Sequence, residues 1–159
     1  MSNALHLDVP AGVPWIDFTR EFDAPVAALF AAHTDADLVR RWLGPHGYEM
    51  DVPTWSCEDG GAYRYVHRDP DGNEYGFRGT FHTVRQDELI VQTFEFEGMP
   101  DQVALEFLGF EALGGDRSRL VGRSIGRTVR GRDAMVDSGM ETGMTDGYVK
   151  LDAVLATTR

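Results

Sequence analysis

Cysteine is nearly missing from this chain: Cys57 is the only one in 159 residues. A lone thiol forms no internal disulfide, and no CxxC pair offers redox chemistry or zinc ligands. Lysine is as scarce, with Lys150 the single example, so arginine carries almost all the positive charge. The 15 basic residues are outnumbered by 26 acidic ones, for a net charge of −11. That balance argues against nonspecific binding to nucleic acid or anionic membrane, both of which reward an excess of Lys and Arg. No apolar run approaches the roughly 18 residues that would span a bilayer. No basic segment followed by an apolar stretch opens the chain, so the cytoplasm is the expected location.

What the chain does have is apolar mass: 42% hydrophobic residues and 11% aromatic ones. A chain of this length buries roughly 70% of the surface its unfolded form exposes, which suffices for a core without disulfides or metals. Residues 1–14 hold Pro10, Gly12 and Pro14 without a sustained period and read as a loose arm or short edge strand. The rest, 15–159, reads as one domain. Ile16, Phe18 and Phe22 share one parity, as in a half-buried strand. Asp23 is placed to cap a helix with Pro25 in its first turn, and Thr34 or Asp35 to cap a second short helix ended by Gly44-Pro45.

A β-rich stretch follows, with strands expected at 49–55, 62–68, from Tyr75 to His82, and at 89–96, 102–111 and 119–127. Short turns separate them, of which Asp69-Pro70-Asp71-Gly72 is the strongest. Then the period changes. Val136, Met140, Met144, Tyr148, Leu151 and Leu155 form the stripe of one long helix from 132 to 157. Gly139, Gly143 and Gly147 repeat at spacing four on its flank. They predict either very close packing on the sheet or room left for something else.

Four strings in this order resemble a known family: "FDAPVAALFAAHTDADLVRRWLGP" from Phe22, "EDGGAYRYVHRDPDG" from Glu58, "FRGTFHTVRQDELIVQTFEFEG" from Phe77 and "SGMETGMTDGYVKLDAVL" from Ser138. They are similar to the START-like superfamily, also called SRPBCC or Bet v 1-like, and within it to the heat-shock protein 90 ATPase activator homologue-like branch. The resemblance implies an α+β helix-grip fold. A curved antiparallel sheet of about six to seven strands, in β-α-α-β6-α order, would wrap a long C-terminal helix. It also implies a cavity between helix and sheet.

Parity nominates the wall of that cavity. Tyr63, Tyr65 and His67 come from one strand, Tyr75, Phe77 and Phe81 from the next, and Phe94 and Phe96 from the strand after. Met140 and Met144 come from the helix, and Trp42 closes one end. Aromatic and Met side chains make adaptable apolar surface.

Catalytic sets are thin. His6, His33, His46, His67 and His82 show no HxH or HxxxH spacing, so no metal site and no cofactor are expected. His67 shares parity with the tyrosines and is the polar group expected inside; His82 is expected to face out. Glu95 and Glu97, with Arg64 and Arg78, are assigned to the solvated face, and Asp133, Asp137 and Glu141 to the outside of the last helix. No GxSxG elbow or phosphate loop occurs.

The expected function is binding of a small hydrophobic or aromatic molecule, without committed catalytic residues. One alternative is a polyketide cyclase/dehydratase-like enzyme, with His67 and Tyr65 moving protons, or a natural-product self-resistance protein. A third, implied only by the resemblance, is a module that stimulates a chaperone ATPase. No nucleic-acid or membrane partner is expected.

Overall fold

The computed structural model describes residues 3–158. Its frame is one eight-stranded antiparallel sheet in the order β1-β2-β8-β7-β6-β5-β4-β3. The strands are β1 (His6–Asp8), β2 (Trp15–Phe22), β3 (Glu49–Trp55), β4 (Ala62–Arg68), β5 (Glu74–Arg85), β6 (Leu89–Phe96), β7 (Ala104–Gly114) and β8 (Arg117–Ile125). Two helices, α1 (Val26–Thr34) and α2 (Ala36–Val39), follow β2, and α3 (Val129–Asp137) and α4 (Met140–Thr157) end the chain.

The expected antiparallel sheet and C-terminal helix are present, but the sheet has eight strands rather than six or seven. The added strand comes from the N-terminal arm, where His6, Leu7 and Asp8 pair with Thr19, Phe18 and Asp17. Residues 6–8 of that segment therefore form a short edge strand. Along β2 the alternation holds: Ile16, Phe18, Arg20 and Phe22 are buried and the residues between them are half-buried. Since β2 and β3 lie near opposite edges, α1 and α2 must cross from one side of the sheet to the other.

Two helix expectations change. The N-cap position of α1 is held by Pro25 rather than Asp23, with φ −65° and ψ 153°, and Pro25 offers no side-chain cap. A proline there costs little, because the first N–H groups of a helix are unpaired in any case. Asp35 does cap α2, accepting from the Asp37 N–H at 2.9 Å.

The long C-terminal helix is two helices. The chain breaks at Ser138-Gly139, where Gly139 has φ +91°. That left-handed conformation is open to glycine and costly to residues bearing a Cβ. The glycine series thus splits in function. Gly139 makes the break, and Gly143 meets only Pro45 at ordinary contact distance. Gly147 lies so near the Trp42 backbone that a Cβ would stand 3.2 Å from the Trp42 carbonyl oxygen.

The core gathers under the C-terminal half of α4. Leu151, Val154 and Leu155 are buried against Phe22, Leu29, Phe30 and Leu120. Each such side chain contributes roughly 1.5–3 kcal/mol by leaving water. The inward-facing Arg20 of β2 meets Asp152 of α4 through two parallel bonds of 2.7 Å each. This fork pins the helix to the sheet. Arg132 ties α3 to the N-terminal segment by donating to the carbonyls of Pro10 at 2.7 Å and Trp15 at 3.0 Å.

Candidate functional site: a cavity between the sheet and the α3–α4 arm

Toward the N-terminal end of α4 the helix no longer fills the concave face. No residue from Met140 to Asp146 is buried. A cavity of about 560 Å³ opens there between α3, α4 and the sheet.

Ten of the eleven residues nominated from parity line it. Tyr63, Tyr65 and His67 of β4 do so, with Tyr75 and Phe77 of β5 and Phe94 and Phe96 of β6. Met140 and Met144 line it from α4, and Trp42 from the chain after α2. The rings form a connected layer. Phe77 lies 5.1 Å from Tyr65, 5.6 Å from Phe94 and 5.2 Å from Phe96, centroid to centroid. Trp42 stacks on Tyr148 at 5.9 Å, and its indole N–H donates to the Ala32 carbonyl at 2.9 Å.

Phe81 is the exception. It shares the inward parity but lies farther along β5, behind Trp55 and Tyr63, with ring centroids 5.7 and 5.1 Å away. At 2% exposure it is core. Position along the strand, which parity does not report, decides its place.

His67 faces inward as expected and His82 is exposed. Burial holds the His67 imidazole down to about 4, with Lys150 adding to the shift, so it is neutral at physiological pH. Its Nδ1 is buried without a hydrogen-bond partner. Its ring lies so close to Gly44, which has a positive φ, that a Cβ there would clash with the imidazole. His33 is likewise driven down to about 4 by burial, though Nδ1 lies 2.8 Å from the Leu29 carbonyl oxygen. The Cys57 thiol is pushed up to about 11 by burial, which removes it as a nucleophile near neutral pH.

The outer-face ion pairs are more organised than composition suggests. Arg64 forks onto Glu97 at 2.8 and 2.9 Å. Arg78 meets Glu95 at 2.6 Å, and the Asp101 N–H covers the other oxygen at 2.9 Å. Glu95 is therefore buried on the face assigned to solvent. Among the described residues no group of His, Cys, Asp and Glu is placed to hold a metal ion.

Sequence reasoning missed the polar end of the cavity. Glu106 of β7, paired in register with Gln92 of β6 and Ser124 of β8, lies in its lining. Gln92 Nε2 donates to Glu106 Oε1 at 3.0 Å. Desolvation raises the carboxyl above its ordinary range, opposed by the Gln92 and Ser124 hydrogen bonds. The signal was present in "VALEFLGF", where one acid interrupts an apolar run. Its parity was masked because Leu105 and Phe107, on the outer face, are as apolar as the inner residues.

The family model for Activator of Hsp90 ATPase homolog 1-like protein matches residues 23–156, and the chain belongs to that family. Solved structures share the fold over nearly the whole chain. A protein from Rhodobacter sphaeroides is 25% identical, with a TM-score of 0.87, covering 96% of this chain and 98% of its own. One from Arthrobacter aurescens is 25% identical at a TM-score of 0.87, over 96% and 91%. One from Mycobacterium smegmatis is 19% identical at 0.86, over 97% of both chains, a likeness of fold alone. No curated protein matches the sequence. No helix among the described residues is long and apolar enough to cross a membrane.

Proposed function

We propose that this protein binds a small, largely apolar ligand, aromatic by preference, in the cavity between the sheet and the α3–α4 arm. The observation that carries the reading is the unfilled volume of about 560 Å³, within the range of small-molecule sites and walled mainly by aromatic and Met side chains. A core built only for stability closes such space, because voids forfeit dispersion contacts. Of the ten lining residues nominated from sequence, eight ring side chains supply flat faces, and Met140 and Met144 supply flexible ones.

The experiment is native mass spectrometry of freshly purified protein, then thermal-shift screening against aromatic polyketides, flavonoids and lipids. A retained adduct or a saturable rise in Tm supports binding. No adduct and no shift at ligand concentrations far above ordinary dissociation constants would mean that the cavity closes on its own side chains in solution. The chaperone-stimulating reading, which rests on the family's name, would then take precedence, and raised ATPase turnover of the chaperone would test it.

One observation favours a second reading, proton-transfer catalysis of the cyclase/dehydratase kind. Two titratable groups with shifted affinities, His67 and Glu106, share one cavity. An enzyme would lose turnover but keep ligand affinity in His67→Ala, whereas a binder would lose affinity in Phe77→Ala and show no turnover to lose.

A further inference from the structure

Among the residues lining the cavity, Glu106 is the only one that carries a formal charge in its ordinary state at neutral pH. It stands between Ala104 and Leu108 in a strand that is otherwise apolar on this face. Its partners, Gln92 and Ser124, are neutral. Among the described residues no Lys, Arg or His forms an ion pair with it. Its charge disfavours ionisation of Tyr63, Tyr65 and Tyr148, which places those three rings within its field.

A half-buried carboxyl group that faces an apolar cavity without a counter-ion carries a desolvation cost, and an apolar side chain would fill the same place more cheaply. The cost is offset once a cation arrives. The surroundings suit a cation in a second way, since tyrosine faces attract positive charge electrostatically. The net charge of −11 adds a long-range field of the same sign. A ligand bearing a carboxylate or phosphate at this end would instead face like charge.

Resting on the ligand-binding reading above, we propose that the ligand is a lipophilic amine whose basic nitrogen pairs with Glu106 while its apolar body lies among the aromatic rings of β4, β5 and β6. An amine that arrives neutral takes the proton from the Glu106 carboxylic acid. One that arrives as ammonium finds the carboxylate, any proton held there passing to water. Either way the bound state is one carboxylate and one ammonium, hydrogen-bonded directly, with Gln92 and Ser124 holding the carboxylate in place.

The test uses three probes on one ring system: 2-naphthylmethylamine, 2-naphthylmethanol and 2-naphthoate, titrated calorimetrically into the full-length protein at pH 7. The wild type is expected to bind the amine about tenfold or more tighter than the alcohol, with the carboxylate weakest. Glu106→Gln, nearly isosteric, should bring the amine to within about threefold of the alcohol and leave alcohol affinity unchanged. Glu106→Asp keeps the charge and should keep the amine preference, which separates loss of charge from loss of fold. Glu88→Gln, an exposed acid near the β5–β6 turn, should change neither affinity.

Alcohol binding as tight as amine binding in the wild type overturns the proposal, as does an amine preference that survives Glu106→Gln. In both cases binding of the alcohol leaves the ligand-binding reading intact. If none of the three probes binds, that reading fails and this one falls with it.

Discussion

The two ends of α4 meet the same sheet in opposite ways. From Tyr148 onward the helix is bolted down. Leu151 is fully buried, Val154 and Leu155 nearly so, and Asp152 forks onto the buried Arg20. From Met140 to Asp146 nothing is buried, and the sheet beneath presents rings to open volume. One end is packed as a core and the other is held away from the sheet by a break at Gly139 and by the close contact of Gly147 with the Trp42–Gly44 backbone. Stability and site are thus divided along one helix, and substitutions at the two ends should have different consequences.

The sharpest contrast is expected between Leu151→Ala and Met144→Ala. The first opens a cavity at a filled position and should cost about 2–5 kcal/mol in urea unfolding. The second removes a side chain that already borders space and should cost under about 1 kcal/mol, while changing ligand affinity. Equal costs would break the comparison.

Acid comes next in size. His33 and His67 are held near 4 in the folded chain, whereas the unfolded chain takes up protons on them below about 6.5. Stability is therefore complete above that value and falls as pH drops toward 4, each residue contributing up to ~1.4 kcal/mol per pH unit in the window. Denaturant unfolding at stepped pH should show this slope, and His67→Gln should remove its own share. Glu106 works in the other direction. Its raised folded-state affinity for a proton means that stability is lost as pH rises from the ordinary carboxylate range. Glu106→Gln should accordingly raise Tm at pH 7.

At the bolted end, Asp152→Ala leaves the Arg20 guanidinium buried without its partner, and Asp152 is itself partly exposed. A loss of about 2 kcal/mol is expected, measured by the same unfolding. A comparable or smaller loss is expected at the break. Gly139→Ala forces a Cβ into the left-handed region at about 1–2 kcal/mol, a fall in Tm of a few degrees.

Much of this contrast was legible in the sequence. Local alternation placed β3, β4 and β6 at their observed bounds, because hydrophobic period and turn chemistry act over a few residues. Parity gave the facing of Tyr63, Tyr65, His67 and Phe77. What failed depends on distance along the chain or on neighbouring strands. The α3–α4 break was hidden because the apolar stripe runs on through Val136 and Met140 even though the backbone turns at Gly139. Phe81 was displaced from the cavity by its position behind Trp55. Glu106 became visible only when register set it beside Gln92 and Ser124. Arg20, a charge on the inner face of β2, is explained only by Asp152, 132 residues away.

The methionines allow one direct measurement of the central claim, that the cavity and not the core receives the ligand. Met99, Met135, Met140 and Met144 line the cavity, whereas Met50 belongs to the buried core. With 13C-labelled methionine methyl groups, titration of 2-naphthylmethanol should shift the four cavity signals saturably and leave Met50 in place. Signals that do not move, or a Met50 signal that moves with the others, would contradict the account.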